Sequence, residues 1–402
     1  MKRRDFVAMF PLAAVSSKVF ARQPGAQPPA RGTGTRVAGR VDSAFEGVRV
    51  AFMENFASRN ELGGAVCVFK DGRKVVDLWG GWSDPQHTRH WQEDTIVCMM
   101  SVAKGVTALC AWRLIERGQL ELDALVTDYW PEYGQNGKQH TTVKHILGHK
   151  AGVLSVDTLE AGKTSLDYDA YIAAIERQAP AYEPGAFGAY HALTYGHLVG
   201  ELVRRVSGKK IDVFLRDELC GPIGIDYALG VVDSMLPRVA DTVVNPIALP
   251  AESGMPPPAA LQSFINSQGF RQGLLPSGNG HGNARALATL FSALAGDGTI
   301  HGVQVLSPAT LRRAVVKQWE LDWLLKRKLF SVALGFDLND PQSLFAVGPN
   351  SRTFGAAGLG GHIVFADPDA RLAFAYSPNR HGDFDRLGAR CDALVAATYS
   401  SI

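Results

Sequence analysis

With 402 residues, 46% of them hydrophobic and 20% charged, and a formal net charge of +2, the chain has the composition of a globular protein large enough for two lobes around an ample core. Removing residues 1–21 deletes Lys2, Arg3, Arg4 and Lys18 against Asp5, taking the charge from +2 to −1, and a near-neutral chain lacks the basic stripe that nucleic acid requires of a partner. No later segment reaches ~18 uninterrupted apolar residues, so no stable membrane insertion is expected once a signal is removed.

The chain opens on Lys2-Arg3-Arg4-Asp5-Phe6, then an apolar stretch from Phe6 to Val15, then Val19-Phe20-Ala21 as a small-residue cleavage site. This is the layout of an export signal over 1–21, similar to twin-arginine signals, and it predicts an exported, periplasmic protein. A retained basic anchor is the alternative, because Pro11 and Ser16-Ser17 interrupt the apolar run. Residues 22–42, rich in Pro, Gly and Arg, read as a flexible lead-in. Apolar residues at helical spacing predict a helix from Val41 to Ser58. Ala65–Lys70 and Lys74–Trp79, joined by Asp71-Gly72, read as a β-hairpin. A polar loop over 83–94 leads through Thr95–Met100 into a helix from Ser101 that stops at Gly118.

Helices and connectors follow: Thr141–Leu147, Leu166–Gln178, Leu193–Val206, Ile211–Leu219, and, beyond Pro- and Gly-rich loop territory at 232–280, Ala284–Leu294 and Ser307–Val316. Strand character returns at Leu334–Leu338, Arg352–Phe354, His362–Ala366 and Leu372–Tyr376, before a terminal helix from Phe384 to about Ala397. Strands at both ends with helices between predict an α+β fold. Its antiparallel sheet is built from both chain ends with flanking terminal helices, giving one domain over 43–402 with a sheet lobe (43–100 and 330–402) and a mostly helical lobe (101–329). The five cysteines, Cys67, Cys98, Cys110, Cys220 and Cys391, are odd in number and unpaired in spacing, so buried free thiols are expected.

The chemistry concentrates in Met99-Met100-Ser101-Val102-Ala103-Lys104. Positions i and i+3 share a helix face, so the Lys104 amine falls within reach of Ser101 Oγ. Lys104 is the only charged residue between Ser101 and Trp112, and desolvation in so apolar a run lowers a lysine pKa toward that of a usable base. A Ser-x-x-Lys spacing arises about once by chance in a chain of this size. Ser207-Gly208-Lys209-Lys210 is such a decoy, a charged helix end with a glycine cap and nothing to depress a lysine.

Two further stretches bear on catalysis. Tyr190, in Gly188-Ala189-Tyr190-His191-Ala192, is placed to exchange protons with Ser101, as a phenolate if an ammonium lies near. The bland reading is a packed tyrosine, and His191 is the rival base, although no Gly-x-Ser-x-Gly elbow accompanies it. The cluster Phe354-Gly355-Ala356-Ala357-Gly358-Leu359-Gly360-Gly361 either lets a ligand approach a strand whose N–H donates to an oxyanion, or is a Gly-rich turn feeding the last hairpin. No phosphate loop, dinucleotide fingerprint or zinc spacing occurs, so no metal and no cofactor are expected.

Taken together, Asp94-Thr95 before Ser101-Val102-Ala103-Lys104-Gly105, Gly118-Gln119-Leu120-Glu121-Leu122-Asp123, Tyr129-Trp130-Pro131-Glu132-Tyr133, His145-Ile146-Leu147-Gly148-His149-Lys150-Ala151-Gly152, Tyr190-His191-Ala192-Leu193-Thr194-Tyr195-Gly196 and Phe365-Ala366-Asp367-Pro368 are far more specific than any one motif. From about residue 43 onward the chain resembles the serine β-lactamase-like hydrolases related to class C β-lactamases and D-Ala-D-Ala peptidases, most closely their carboxylesterase branch. The resemblance implies a β-lactamase/transpeptidase-like fold, Ser101 as the acylated nucleophile, Lys104 as its base and Tyr190 as the tyrosine of the second motif. It also implies that the third motif falls on Ala356-Ala357-Gly358, with the backbone N–H groups of Ser101 and Leu359 as the oxyanion hole.

Two positions depart from that pattern. Ala192 replaces the amide often found in the second motif, and Ala356 stands where the third motif carries Lys or His. Without that cation the site is expected to favour neutral esters over anionic substrates, unless His362 substitutes. Ala356, Gly358, His362 and His191 are therefore the candidate substrate-binding residues. The expected function is hydrolysis of a small-molecule carboxylic ester through a Ser101 acyl-enzyme. The alternatives are a β-lactamase or D-Ala-D-Ala carboxypeptidase using the same residues, and a catalytically silent ligand-binding relative.

Overall fold

The computed structural model describes residues 35–245, 256–326, 328–382 and 387–402, so the expected export signal, the lead-in up to residue 34 and the expected start of the terminal helix at Phe384 lie outside the described residues. In chain order the strands are β1 (Val37–Val41), β2 (Gly63–Lys70), β3 (Arg73–Gly81), β4 (Val97–Cys98), β5 (Tyr227–Leu229), β6 (Gly280–Gly282), β7 (Thr299–Ile300), β8 (Val303–Gln304), β9 (Ser331–Val332), β10 (Asp337–Leu338), β11 (Phe354–Gly358), β12 (His362–Asp367) and β13 (Leu372–Pro378). Eight of them form one antiparallel sheet in the order β1-β3-β2-β13-β12-β11-β10-β9. The two ends of the chain meet where β2 pairs with β13, Val66 opposite Tyr376 and Val68 opposite Phe374. The hairpin turn has Asp71 and Gly72 both at positive φ (51° and 73°), the geometry that twists two strands together through two residues.

Three sequence expectations shift. The lead-in ends earlier than residue 42, because Val37 and Val41 pack on the apolar layer beneath the sheet and draw β1 onto β3. Thr95–Met100 contributes only β4, which joins β6 and β5 in a separate three-stranded sheet rather than the main one. Of the two readings of the glycine-rich cluster, the strand holds for 354–358, which form β11 inside the sheet, and the turn is confined to the residues that follow.

The two faces of the main sheet differ in side-chain size, and that difference sorts the helices. Val66, Val68, Val76, Leu78, Ile363, Phe365, Phe374 and Tyr376 form a bulky layer with Phe45, Val48 and Phe52 around helix α1 (Glu46–Ser58), and with Cys391, Leu394 and Val395 of the terminal helix Ala389–Tyr399. The opposite face carries Ala65, Cys67, Ala356, Ala366, Ala373 and Ala375. Short side chains there let helix α2 (Val102–Glu116) and the alanine-rich helix Ala284–Ala295 lie close to the strands. Helix α2 is buried on every side from Val102 to Trp112, as its uniformly apolar sequence requires. Helix α5 (Thr194–Ser207) packs against it, and α3 (Val143–Leu147) and α4 (Tyr168–Arg177) pack in turn on α5. Residues 232–280 contain, among loops, the short helices Pro258–Ile265 and Gln268–Gln272, whose Leu261, Ile265 and Phe270 bury against Cys98 and Leu275. All five cysteines are buried and free.

The terminal helix is tied to the sheet by charge as well as by packing. Arg390 donates to the fully buried Glu61 carboxylate at 2.7 Å, the Tyr376 hydroxyl donates to the same carboxylate, and Asn55 of α1 donates to the Arg390 carbonyl at 3.2 Å. Removing the cation strands a carboxylate in an apolar layer. Arg390→Met is therefore expected to lower unfolding free energy by about 3–5 kcal/mol, measured by urea denaturation, with a smaller loss in Arg390→Met combined with Glu61→Gln.

Candidate active site

Ser101 sits at the N-cap of α2, and the residue before it, Met100, has a φ of 50°. A side chain larger than glycine rarely occupies the left-handed region, so the turn from β4 into α2 stores backbone strain at the point where the serine is presented. Met100 is held there by contact with the cluster of Cys98, Leu275 and Leu359. One helical turn on, Lys104 Nζ donates to Ser101 Oγ at 3.0 Å and to the Ser277 carbonyl at 2.8 Å. Its residue is only 5% exposed, and burial brings the amine down to about 7 against the opposing pull of Asp337. The neutral amine is thus populated at neutral pH, within hydrogen-bond reach of a hydroxyl.

The Ser277 carbonyl is positioned by three separate elements. The Ser277 hydroxyl donates to Leu193 O at 2.8 Å, the Asn279 amide donates to Phe270 O at 2.9 Å, and Thr107 of α2 donates to Pro276 O at 2.7 Å. Gly196 on α5 is essential to this approach, since a Cβ there would stand 2.2 Å from Ser277 N.

Tyr190 closes the group. Its backbone N–H donates to Asp322 at 2.8 Å, its ring stacks on His149 at 5.2 Å and tilts against Phe330, and Lys104 Nζ lies 4.9 Å from the ring centroid. The Tyr190 hydroxyl is hydrogen-bonded to Ser101. Burial drives its pKa upward, with the Ser101 bond opposing and Asp337 adding to the rise. The hydroxyl is therefore held as a phenol, and the condition for a phenolate, a neighbouring ammonium, weakens with the lowered Lys104 pKa. His149, itself at a φ of 56°, stacks on Tyr195 at 4.1 Å and accepts the His191 backbone N–H at 3.1 Å. Burial holds this imidazole well below its usual range and hence neutral.

The structure brings Ser101, Lys104, Tyr190 and the third-motif strand together, and leaves two candidates out of the cleft. His191 is buried, its Nδ1 paired with the Ala189 carbonyl at 2.7 Å, and its pKa falls to about 4 through desolvation. With a carbonyl rather than a carboxylate as partner, His191 does not assemble a Ser-His-acid triad. His362 is fully buried, paired across the sheet with Gly358, and held neutral by burial and by the nearby His381 and Arg390. A buried neutral imidazole cannot replace the missing third-motif cation.

Strand β11 lies against the start of α2. A Cβ on Gly105 would come within 2.9 Å of Ala356 Cβ, and one on Gly358 would come within 2.4 Å of the Met99 carbonyl and 3.3 Å of Ser101 N. Neither the Ser101 nor the Leu359 N–H is taken by a backbone acceptor among the described residues. The decoy behaves as its sequence suggests: Ser207 donates to Val203 O at 2.6 Å, and Gly208 caps α5 with a φ of 74°. Among the described residues no group of three or more His, Cys, Asp or Glu is arranged to hold a metal. Sequence reasoning missed Ser277, whose role is carried by a backbone carbonyl and so leaves no residue-type signal. It also missed His149, present in a quoted motif but with no role assigned. Asp337, a lone acid in an apolar strand, was missed as well.

The family model described as Beta-lactamase matches residues 48–397. The esterase/beta-lactamase LipL of Mycobacterium tuberculosis is 33% identical over 371 residues, covering 86% of this chain and 84% of its own. Among solved structures, a penicillin-binding protein homolog from Caulobacter crescentus superposes with a TM-score of 0.81 at 35% identity, over 92% of this chain and 100% of its own. A family VIII carboxylesterase superposes with a TM-score of 0.83 at 32% identity, over 91% of this chain and 100% of its own. The close seating of Gly358 on the serine turn carries a testable consequence. Gly358→Ala should leave the circular dichroism spectrum intact and lower kcat by about 10²-fold, because the added methyl displaces β11 from Ser101 by an ångström-scale step.

Proposed function

The chain belongs to the Beta-lactamase family and is a serine hydrolase of that family; from that premise we propose that it cleaves neutral carboxylic esters through an acyl-enzyme on Ser101, with Lys104 and Tyr190 moving the protons. The observation that carries this reading is the 3.0 Å contact between Ser101 Oγ and an amine that burial holds at about 7. The neutral Lys104 takes the Ser101 proton as Oγ attacks the ester carbonyl. The oxyanion that forms is met by the N–H groups of Ser101 and Leu359, at the positive end of α2. Tyr190, a phenol bonded to Ser101 and next to Lys104, gives its proton to the departing alkoxide and regains one from the Lys104 ammonium. Water, activated through the same pair, then attacks the acyl carbonyl and releases the acid.

The preference for neutral esters rests on Ala356. A substrate carboxylate needs a positive partner, and at this position the strand offers a buried methyl packed on Gly105. LipL is named both esterase and beta-lactamase and the Caulobacter protein a penicillin-binding protein homolog, so a second reading is a β-lactamase or D-Ala-D-Ala carboxypeptidase built on the same three residues. We also propose export through the Lys2-Arg3-Arg4 segment; replacing Arg3 and Arg4 by Lys should leave the protein in the cytoplasmic fraction of an expressing bacterium.

One assay set separates the substrate readings: the wild type and Ser101→Ala against a short-chain p-nitrophenyl ester, a chromogenic cephalosporin and a D-Ala-D-Ala peptide. Ester turnover dominates, and Ser101→Ala abolishes it. Dominant cephalosporin or peptide turnover would instead select the second reading. The pH dependence has a fixed sign. Lys104 is an ammonium below about 7 and a free base above it, so kcat/KM for the ester should rise with pH through a limb centred near 7.

A further inference from the structure

Tyr190 lies on a loop, and a proton donor misplaced by about 1 Å loses most of its effect, so something must hold that loop still. Two segments distant in the chain are stitched together beside it. Gly152 O accepts the Ala181 N–H at 2.8 Å, Lys150 O accepts the Gly185 N–H at 2.8 Å, and His149 O accepts the Ala189 N–H at 3.1 Å. The tyrosine follows directly on that last bond.

His149 holds the tyrosine segment in three ways. Its carbonyl takes the Ala189 N–H, its Nδ1 accepts the His191 N–H at 3.1 Å, and its ring stacks on the Tyr190 ring at 5.2 Å. The N–H between them, that of Tyr190 itself, donates to Asp322 Oδ2 at 2.8 Å. Every backbone N–H from Ala189 to His191 is therefore fixed, two of them by one residue. The same imidazole stacks on Tyr195 of α5 at 4.1 Å, which ties the loop to the helix packed against α2.

This reach depends on an uncommon backbone conformation. His149 follows the last turn of α3, its N–H bonded to Ile146 O at 3.1 Å, and its φ of 56° lies in the left-handed region, where a residue other than glycine stays only when its surroundings hold it. Because Nδ1 accepts a hydrogen bond, the ring is neutral and carries its proton on Nε2.

We propose that His149 is a positioning residue for proton delivery by Tyr190: from a left-handed turn it accepts the N–H groups on either side of the tyrosine, stacks on its ring, and so fixes the phenol hydroxyl against Ser101. This rests on the reading of Tyr190 as the acid that protonates the leaving group. The consequence is selective. The alkoxide leaving from an alkyl ester needs that proton, whereas p-nitrophenolate is a weak base and departs without it. Loosening Tyr190 therefore penalises the alkyl ester and spares the activated one.

The test is kcat/KM for ethyl butyrate and for p-nitrophenyl butyrate in wild type, His149→Ala, His149→Phe, His149→Asn and Tyr190→Phe. The ratio of the two values does not depend on how much of a preparation is folded, so a loss of stability alone leaves it unchanged. His149→Ala removes ring and acceptor, and His149→Phe keeps a ring without the acceptor. Each should lower the ratio of ethyl to p-nitrophenyl ester turnover by about 10²-fold. Asn presents Oδ1 where His presents Nδ1 and tolerates a positive φ, so His149→Asn should restore most of the ratio. An unchanged ratio in whichever of the Ala and Phe variants folds, failure of both to fold, or an Asn variant no better than Ala overturns the proposal and leaves His149 a structural residue. Tyr190→Phe distinguishes the other failure: it should lower the ratio at least as far, and an equal fall for both esters overturns the reading of Tyr190 as the leaving-group acid, independently of His149.

Discussion

Keeping one lysine amine out of water while holding it within hydrogen-bond reach of a serine is the constraint on which the rest of the molecule depends. An ammonium in an apolar interior costs more than the neutral amine, so the group gives up its proton more readily rather than paying the full desolvation. Lys104 reaches that state because α2 is buried around its whole circumference, a condition no surface helix meets. What the amine still needs is a hydrogen-bond partner, and the Ser277 carbonyl provides it without adding charge. A carboxylate in place of that carbonyl would have returned the lysine to its ammonium form.

Holding α2 in the middle dictates the sheet that faces it. The face of small residues, Ala356, Ala366, Ala373 and Ala375 with Cys67, trades side-chain volume for closeness. The bulky face opposite, with Phe365, Phe374 and Tyr376, supplies apolar burial under α1 and the terminal helix. Closeness is also what places the third motif. Gly105 and Ala356 meet at van der Waals distance, and Gly358 rests on the Ser101 turn. The same alanine that lets β11 lie so near α2 removes the cation from the cleft. On the proposed reading, substrate charge preference and helix–sheet spacing are both set at one residue.

Long periodic elements were legible from the residues alone: the hairpin around Asp71-Gly72, α2, α5, and the two last strands all form where pattern and turn chemistry place them. Short elements were not. β4 has two residues and joins a minor sheet with β5 and β6, an arrangement that depends on pairing across more than a hundred residues rather than on local preference. β11 reads equally as a strand or a glycine-rich turn, because its small residues answer to the neighbouring helix rather than to strand propensity. Val37–Val41 reads as linker because its composition is Gly- and Arg-containing, and only the waiting edge of β3 makes it a strand.

What the sequence by itself determined is the pairing on which the proposed chemistry rests. The Ser101 and Lys104 spacing places both on one helix face, and the apolar run around them dictates the desolvation that lowers the amine's pKa. Only the tertiary structure decided the protonation of the partners and the company the pair keeps. Tyr190 is a phenol because it is buried among His149, Phe330 and Lys104. His191 and His362 are neutral and outside the cleft because their strands and loops turn them inward. Asp337 meets the third-motif strand, where it accepts the Ala357 N–H, after the chain turns at Gly335, more than two hundred residues beyond Lys104. Local spacing fixes which atoms lie one turn apart, whereas a pKa depends on every neighbour that displaces water or brings charge, and those neighbours are known only once the chain has folded.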